Sequence, residues 1–118
     1  MGRSAQTDRG LGVNDQPLKI RADDRGTLWL SGELDLAQEE RFFEAATGYR
    51  DGRDDVVLEC SGLTFLDSSG IRAIIALASG TPGSVILRNP GPSVRKVLAI
   101  VGIDGMAGIR IELAPAED

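Results

Sequence analysis

The hydrophobic pattern of this chain predicts a single α/β domain with a mixed, mostly parallel β-sheet, in the order ββαβαβαβ. Three observations carry that reading. Two sets of apolar residues recur at i, i+3, i+4 and i+7, the pattern of helices with one buried face. Two short aliphatic runs, Val56-Val57-Leu58 and Val85-Ile86-Leu87, read as strands covered on both faces. The two kinds of segment alternate, which calls for a largely parallel sheet. A length of 118 residues sets one domain as the expectation.

Residues 1–16 are polar and glycine-bearing, with scattered charges, and read as a loose arm outside the fold. The domain is expected over residues 17–114. Leu18-Lys19-Ile20 alternates apolar and polar, as a strand with one wet face does. Asp23-Asp24-Arg25-Gly26 is turn chemistry, and Thr27-Leu28-Trp29-Leu30-Ser31 completes a hairpin. Gly32-Glu33-Leu34-Asp35 ends that strand. Asp35 is placed to cap a helix running from about Leu36 or Ala37 to about Thr47, its carboxylate accepting from free N–H groups of the first turn.

Gly48 to Asp55 reads as a polar link. Val56-Val57-Leu58 is the next strand, ended by Cys60. Leu63-Thr64-Phe65-Leu66 leads into Asp67-Ser68-Ser69-Gly70 and the stripe Ile71, Ile74, Ile75 and Ala78. Gly80-Thr81-Pro82-Gly83 stops that helix. After Val85-Ile86-Leu87, the loop Asn89 to Ser93 opens a third helix with the stripe Val94, Val97, Leu98 and Val101. Gly102 is a natural terminator. Ile109, Ile111 and Leu113 alternate with Arg110 and Glu112 as a last strand, and residues 115–118 form a short polar tail.

Composition excludes several function classes. The net charge is −5, and no basic stripe or lysine cluster stands out. Binding to nucleic acid or to an anionic membrane surface is therefore not expected. There is no histidine, so a Ser-His-Asp triad and a histidine metal ligand are both excluded. The single cysteine, Cys60, can form neither an intrachain disulfide nor a cysteine zinc site by itself. The arm lacks the apolar core of a secretory signal, and no apolar run approaches a membrane span. The expectation is a cytoplasmic protein with no metal and no catalytic residue.

The chemistry concentrates at Asp67-Ser68-Ser69-Gly70, where a strand hands over to an amphipathic helix. A helix N-terminus presents unpaired N–H groups and the positive end of the macrodipole. A phosphate on Ser68 would carry a charge of roughly −1.5 to −2 into that field. Asp67 would repel it. Ser and Asp ahead of an apolar stripe are also ordinary caps, and these four residues alone permit that plain role.

Three segments together resemble the STAS domains of bacterial anti-sigma factor antagonists. They are Gly32-Glu33-Leu34-Asp35, Leu63-Thr64-Phe65-Leu66-Asp67-Ser68-Ser69-Gly70-Ile71, and Ser93-Val94-Arg95-Lys96-Val97-Leu98 with Gly102-Ile103. The resemblance covers about Leu18 to Leu113 and keeps the family's order and spacing. It implies a partner-switching cycle. The unphosphorylated protein binds an anti-sigma factor and frees a sigma factor for transcription. The anti-sigma factor is itself a serine kinase, which uses its own ATP and magnesium to phosphorylate Ser68. The phosphorylated form lets the kinase go, and a PP2C-type phosphatase resets the switch. No cofactor belongs to this chain.

By the same resemblance Asp35, Asp67, Ser68, Ser69 and Gly70 form the partner-binding surface, with Ser69 supporting the loop. Many family members carry a further helix after the last strand. Five residues follow Leu113 here, a departure from that pattern. The alternative is an interaction subunit of a transport or stress-signalling complex that works without phosphate.

Overall fold

The computed structural model describes residues 17–113. The arm at 1–16 and the tail at 115–118 lie outside the described residues. The hairpin is β1 (Leu18–Ala22) and β2 (Thr27–Leu34). Then come α1 (Glu39–Arg50), β3 (Val56–Leu66), α2 (Ser68–Ser79), β4 (Val85–Arg88), α3 (Pro92–Val101) and β5 (Ile109–Glu112). Short 3-10 turns at Leu36–Gln38 and Ile103–Gly105 precede α1 and β5. The sheet runs β1-β2-β3-β4-β5, with β1 antiparallel to β2 and every other pair parallel. This is the mixed, mostly parallel sheet that the sequence predicts.

Each crossover from β2 onward steps the same way across the sheet. Right-handed connections then place all the helices on one side. The core follows that rule. Leu28, Leu58 and Leu87 lie side by side on adjacent strands and share one buried cluster with Phe42 of α1, Ile74 and Leu77 of α2, and Val94 and Leu98 of α3. Ile86 points the other way. It is buried but stands outside that cluster. The aliphatic runs predict cover on both faces, and the helices supply it on one.

On the helix-free face one row crosses all five strands: Arg21, Trp29, Glu59, Arg88 and Glu112. The Arg21 guanidinium lies 4.9 Å from the centre of the Trp29 ring. Glu59 is only 1% exposed and accepts from Arg88 Nε at 2.7 Å. Burial pushes the Glu59 carboxyl up, but hydrogen bonds from Arg88, Ser61 and Asn89 outweigh it and hold the group below its usual range.

Two elements run further than the sequence predicts. β3 is one strand of eleven residues, because β2 itself continues to Leu34 and keeps pairing, through two register shifts, as far as Leu34 beside Leu66. α1 passes through Gly48 to Arg50. Its last turn is held by side chains. Tyr49 Oη donates to the Asp23 carbonyl at 2.7 Å, and Arg50 reaches the Leu77 carbonyl at 3.3 Å. Gly52, with φ +81°, then turns the chain.

The hairpin turn carries a pH prediction. Asp23 Oδ2 accepts from the Trp29 indole N–H at 2.9 Å, while Oδ1 accepts from the backbone N–H of Arg25 and of Thr27. The indole bond is the main cause that lowers this carboxyl from its ordinary 3.8 to about 2, against partial burial. A carboxyl depressed in the folded state stabilises the fold above its unfolded pKa. That contribution is lost as pH falls from 3.8 toward about 2. Asp23→Asn should therefore be less stable than the parent at neutral pH and converge on it through this acid window, as read by urea unfolding. A gap independent of pH would assign the effect to shape instead of charge.

Candidate functional site

The C-terminal ends of β2 and β3 build the site. Leu34 and Leu66 are paired neighbours, and each is followed at once by an aspartate, Asp35 and Asp67. The two acidic segments, far apart in sequence, thus leave the sheet side by side. Asp35 caps the 3-10 turn Leu36–Gln38, its carboxylate accepting from the Gln38 N–H at 3.2 Å. α1 itself begins one turn later, with Gln38 at its cap position.

Asp67 caps α2. Its Oδ1 accepts from the Ser69 N–H at 2.9 Å and from the Gly70 N–H at 3.1 Å, while its carbonyl accepts from Ile71. The amides at the head of α2 are thus already engaged by an acid. Ser68, the first residue of α2, is exposed, whereas Ser69 is only 7% exposed. Helical phase explains the difference. Ser69 lies over Ala73 and Leu77, both buried, and Ser68 lies over Arg72, which is not. Of the two adjacent hydroxyls, only that of Ser68 is presented to a macromolecule.

Gly70 is a packing requirement of the chain itself. A Cβ there would sit 2.7 Å from the Leu34 carbonyl oxygen and 2.6 Å from Leu66 Cδ1. The absent side chain lets α2 seat against the end of β2. The close backbone approach that this glycine permits is made within the chain, by Leu34.

Sequence reasoning missed the surroundings of Ser68. Leu36 is 67% exposed and Phe65 47%. Between α1 and α2 runs an open groove of about 480 Å³ floored by Phe43, Ala73 and Ala76, with Leu36 at one side and Glu39, Glu40 and Arg72 on its rim. Arg72 Nε lies 3.5 Å from Glu39 Oε2, and Arg72 Nη2 lies 3.4 Å from Ser69 Oγ. The i, i+4 spacing of Ser68 and Arg72 was a readable signal. The exposure of Leu36 had none, since an apolar residue beside a helix start reads as core.

Cys60 lies on the buried face of β3. Burial, with the Glu59 carboxylate adding, pushes its thiol up to about 12, so it stays protonated and inert. Among the described residues no three His, Cys, Asp or Glu side chains gather as a metal site, and no helix is long and apolar enough to cross a membrane.

The family model described as "Mlab, STAS domain" matches residues 19–112. No curated protein matches. Among solved structures the chain resembles an anti-sigma factor antagonist from Mycobacterium paratuberculosis, at 22% identity, covering 79% of this chain and 83% of that one, with a TM-score of 0.63. It also resembles the anti-sigma factor antagonist SpoIIAA in its unphosphorylated form, at 24% identity, 80% and 86% coverage and a TM-score of 0.61. The phosphorylated form of SpoIIAA, a Bacillus cell fate determinant, matches at 23% identity, 80% and 89% coverage and a TM-score of 0.55. At these identities the likeness is one of fold.

Proposed function

The chain belongs to the STAS domain family, and from that premise we propose that it is an anti-sigma factor antagonist whose binding is switched off by phosphorylation of Ser68. The observation that carries this reading is the contrast between the two serines: Ser68 open on the helix head, Ser69 buried beneath it. Two of the similar structures, an unphosphorylated and a phosphorylated SpoIIAA, support a switch of this kind in the same fold.

In this reading the unphosphorylated chain docks on an anti-sigma factor that is also a serine kinase, through Ser68 and the surface beside Asp35 and Asp67, with Ser69 and Gly70 supporting that surface from beneath. The sigma factor is then free. The kinase brings ATP and magnesium. The γ-phosphoryl group passes to Ser68 Oγ, the hydroxyl proton is lost, and ADP leaves. The dianion adds to the negative charge of Asp67, Glu39 and Glu40 on this side of the domain, and the added charge repels the docked partner. The kinase is released, and a PP2C-type phosphatase restores the hydroxyl. The chain itself catalyses nothing, and the cycle runs in the cytoplasm. A second reading, a phosphate-independent subunit of a transport or stress-signalling complex, draws on the exposed Leu36 and Phe65, which would serve docking whatever the state of Ser68.

The test is the intact-protein mass after incubation with ATP, magnesium and a candidate anti-sigma kinase, followed by site mapping. One added phosphate on Ser68, lost in Ser68→Ala, is the expected result. No modification by any candidate kinase of the same organism, each shown active, would move the assignment to the second reading.

A further inference from the structure

A phosphate on Ser68 needs a positive partner, and the head of α2 does not supply one. The Ser69 and Gly70 amides that face a helix-terminal anion are taken by Asp67. Acids stand on both sides: Asp67 directly ahead of α2 and Asp35 at the end of the neighbouring β2, with Glu39 and Glu40 lining the groove beside Arg72. The single cation on the groove rim, among the described residues, is Arg72.

Arg72 follows Ser68 by four residues on α2, so their Cβ atoms are about 5–6 Å apart on one helix face. Helical side chains lean toward the N-terminus, and the Arg72 contact with Ser69 Oγ at 3.4 Å records that lean. Its present carboxylate partner, Glu39, is held by one contact of 3.5 Å, and the arginine side chain is 63% exposed. Exposed pairs of this kind are weak. A phosphate dianion offers a guanidinium two parallel charge-assisted bonds and more charge than a carboxylate.

We propose that Arg72 is the phosphate's partner: when Ser68 is phosphorylated, the guanidinium leaves Glu39 and binds the phosphate, and Glu39 is left uncovered on the rim of the Leu36–Phe43 groove. The inference rests on the reading of Ser68 as the modified residue. One modification then changes the partner surface twice, by the phosphate on α2 and by the freed carboxylate on α1.

The test separates the two ideas by installing phosphoserine at position 68 during translation, so that no kinase is needed. The second ionisation of the phosphate is followed by phosphorus NMR in the parent, in Arg72→Ala and in Arg72→Lys. A neighbouring guanidinium favours the dianion, so the parent should ionise about half a pH unit or more below Arg72→Ala, with Arg72→Lys recovering part of the shift. Glu39→Gln, which removes the competitor for Arg72, should lower it further. Equal phosphate pKa values in the parent and Arg72→Ala would overturn the assignment of Arg72. Failure of every kinase to modify Ser68 would instead overturn the reading of Ser68, and the titration would be unaffected by it.

Discussion

Gly32→Ala is expected to destabilise the domain by about 3 kcal/mol, the sum of a strained left-handed residue and an overpacked contact. Gly32 has φ +105°, in the region that L-residues avoid, and a Cβ there would run into the Pro17 carbonyl oxygen. That oxygen is not free to retreat, since it accepts from the Glu33 N–H at 2.8 Å. Relief requires the start of β1 to peel from β2, next to one of the β2–β3 register shifts. For a domain of this size such a loss lowers the thermal midpoint by about 12 °C or more. Gly48 is the matched control. It sits inside α1 with open space around it, and Gly48→Ala should leave the stability unchanged or raise it, by about 1 kcal/mol at most. Equal melting of Gly32→Ala and the parent would show that the β1–β2 pairing adapts to a side chain there.

The second large effect is on binding. Ser68→Ala should bind the anti-sigma kinase as the parent does and stay bound in the presence of ATP, because the switch has no site. Ser68→Asp should weaken binding about tenfold or more, which is about 1.4 kcal/mol of added repulsion. Both can be read by titration calorimetry at matched ionic strength. One carboxylate has less charge and fewer acceptors than a phosphate. The enzymatically phosphorylated parent is therefore the decisive comparison, and it should bind more weakly than Ser68→Asp. Phosphorylated protein that binds as tightly as the parent would refute the repulsion account.

Legibility in the sequence followed how local each determinant is. α2 and α3 could be read directly, since Ile71, Ile74 and Ala78, and Val94 and Leu98, are each stripes set by the helix's own period. Gly102 takes the left-handed C-cap its position suggested. The far half of β3 was harder. Ser61, Gly62 and Thr64 are exposed there and interrupt the apolar pattern, and the strand persists because β2 keeps offering it partners. The end of α1 was misjudged for a similar reason, since Gly48 looked like a stop and the anchors of Tyr49 and Arg50 lie in other elements.

The site divides in the same way. Asp67 as a cap and Ser68 at the helix head are local features. The seating of Gly70 on Leu34, and the groove beside Arg72, depend on two strand ends and two helices meeting, which no single segment encodes.

The buried Glu59 also bears on how the chain selects its fold. In the native alignment Glu59 stands beside Arg88, and the two side chains meet on the helix-free face. Were β4 to dock one residue out of step, every side chain of β4 would change faces. Glu59 would lose the guanidinium while remaining enclosed, and an enclosed carboxylate without its counter-charge is strongly unfavourable. A slip would also turn the core residues Val85 and Leu87 outward and Arg88 inward. The Glu59–Arg88 pair thus adds its own penalty to any pairing of β3 with β4 other than the native one.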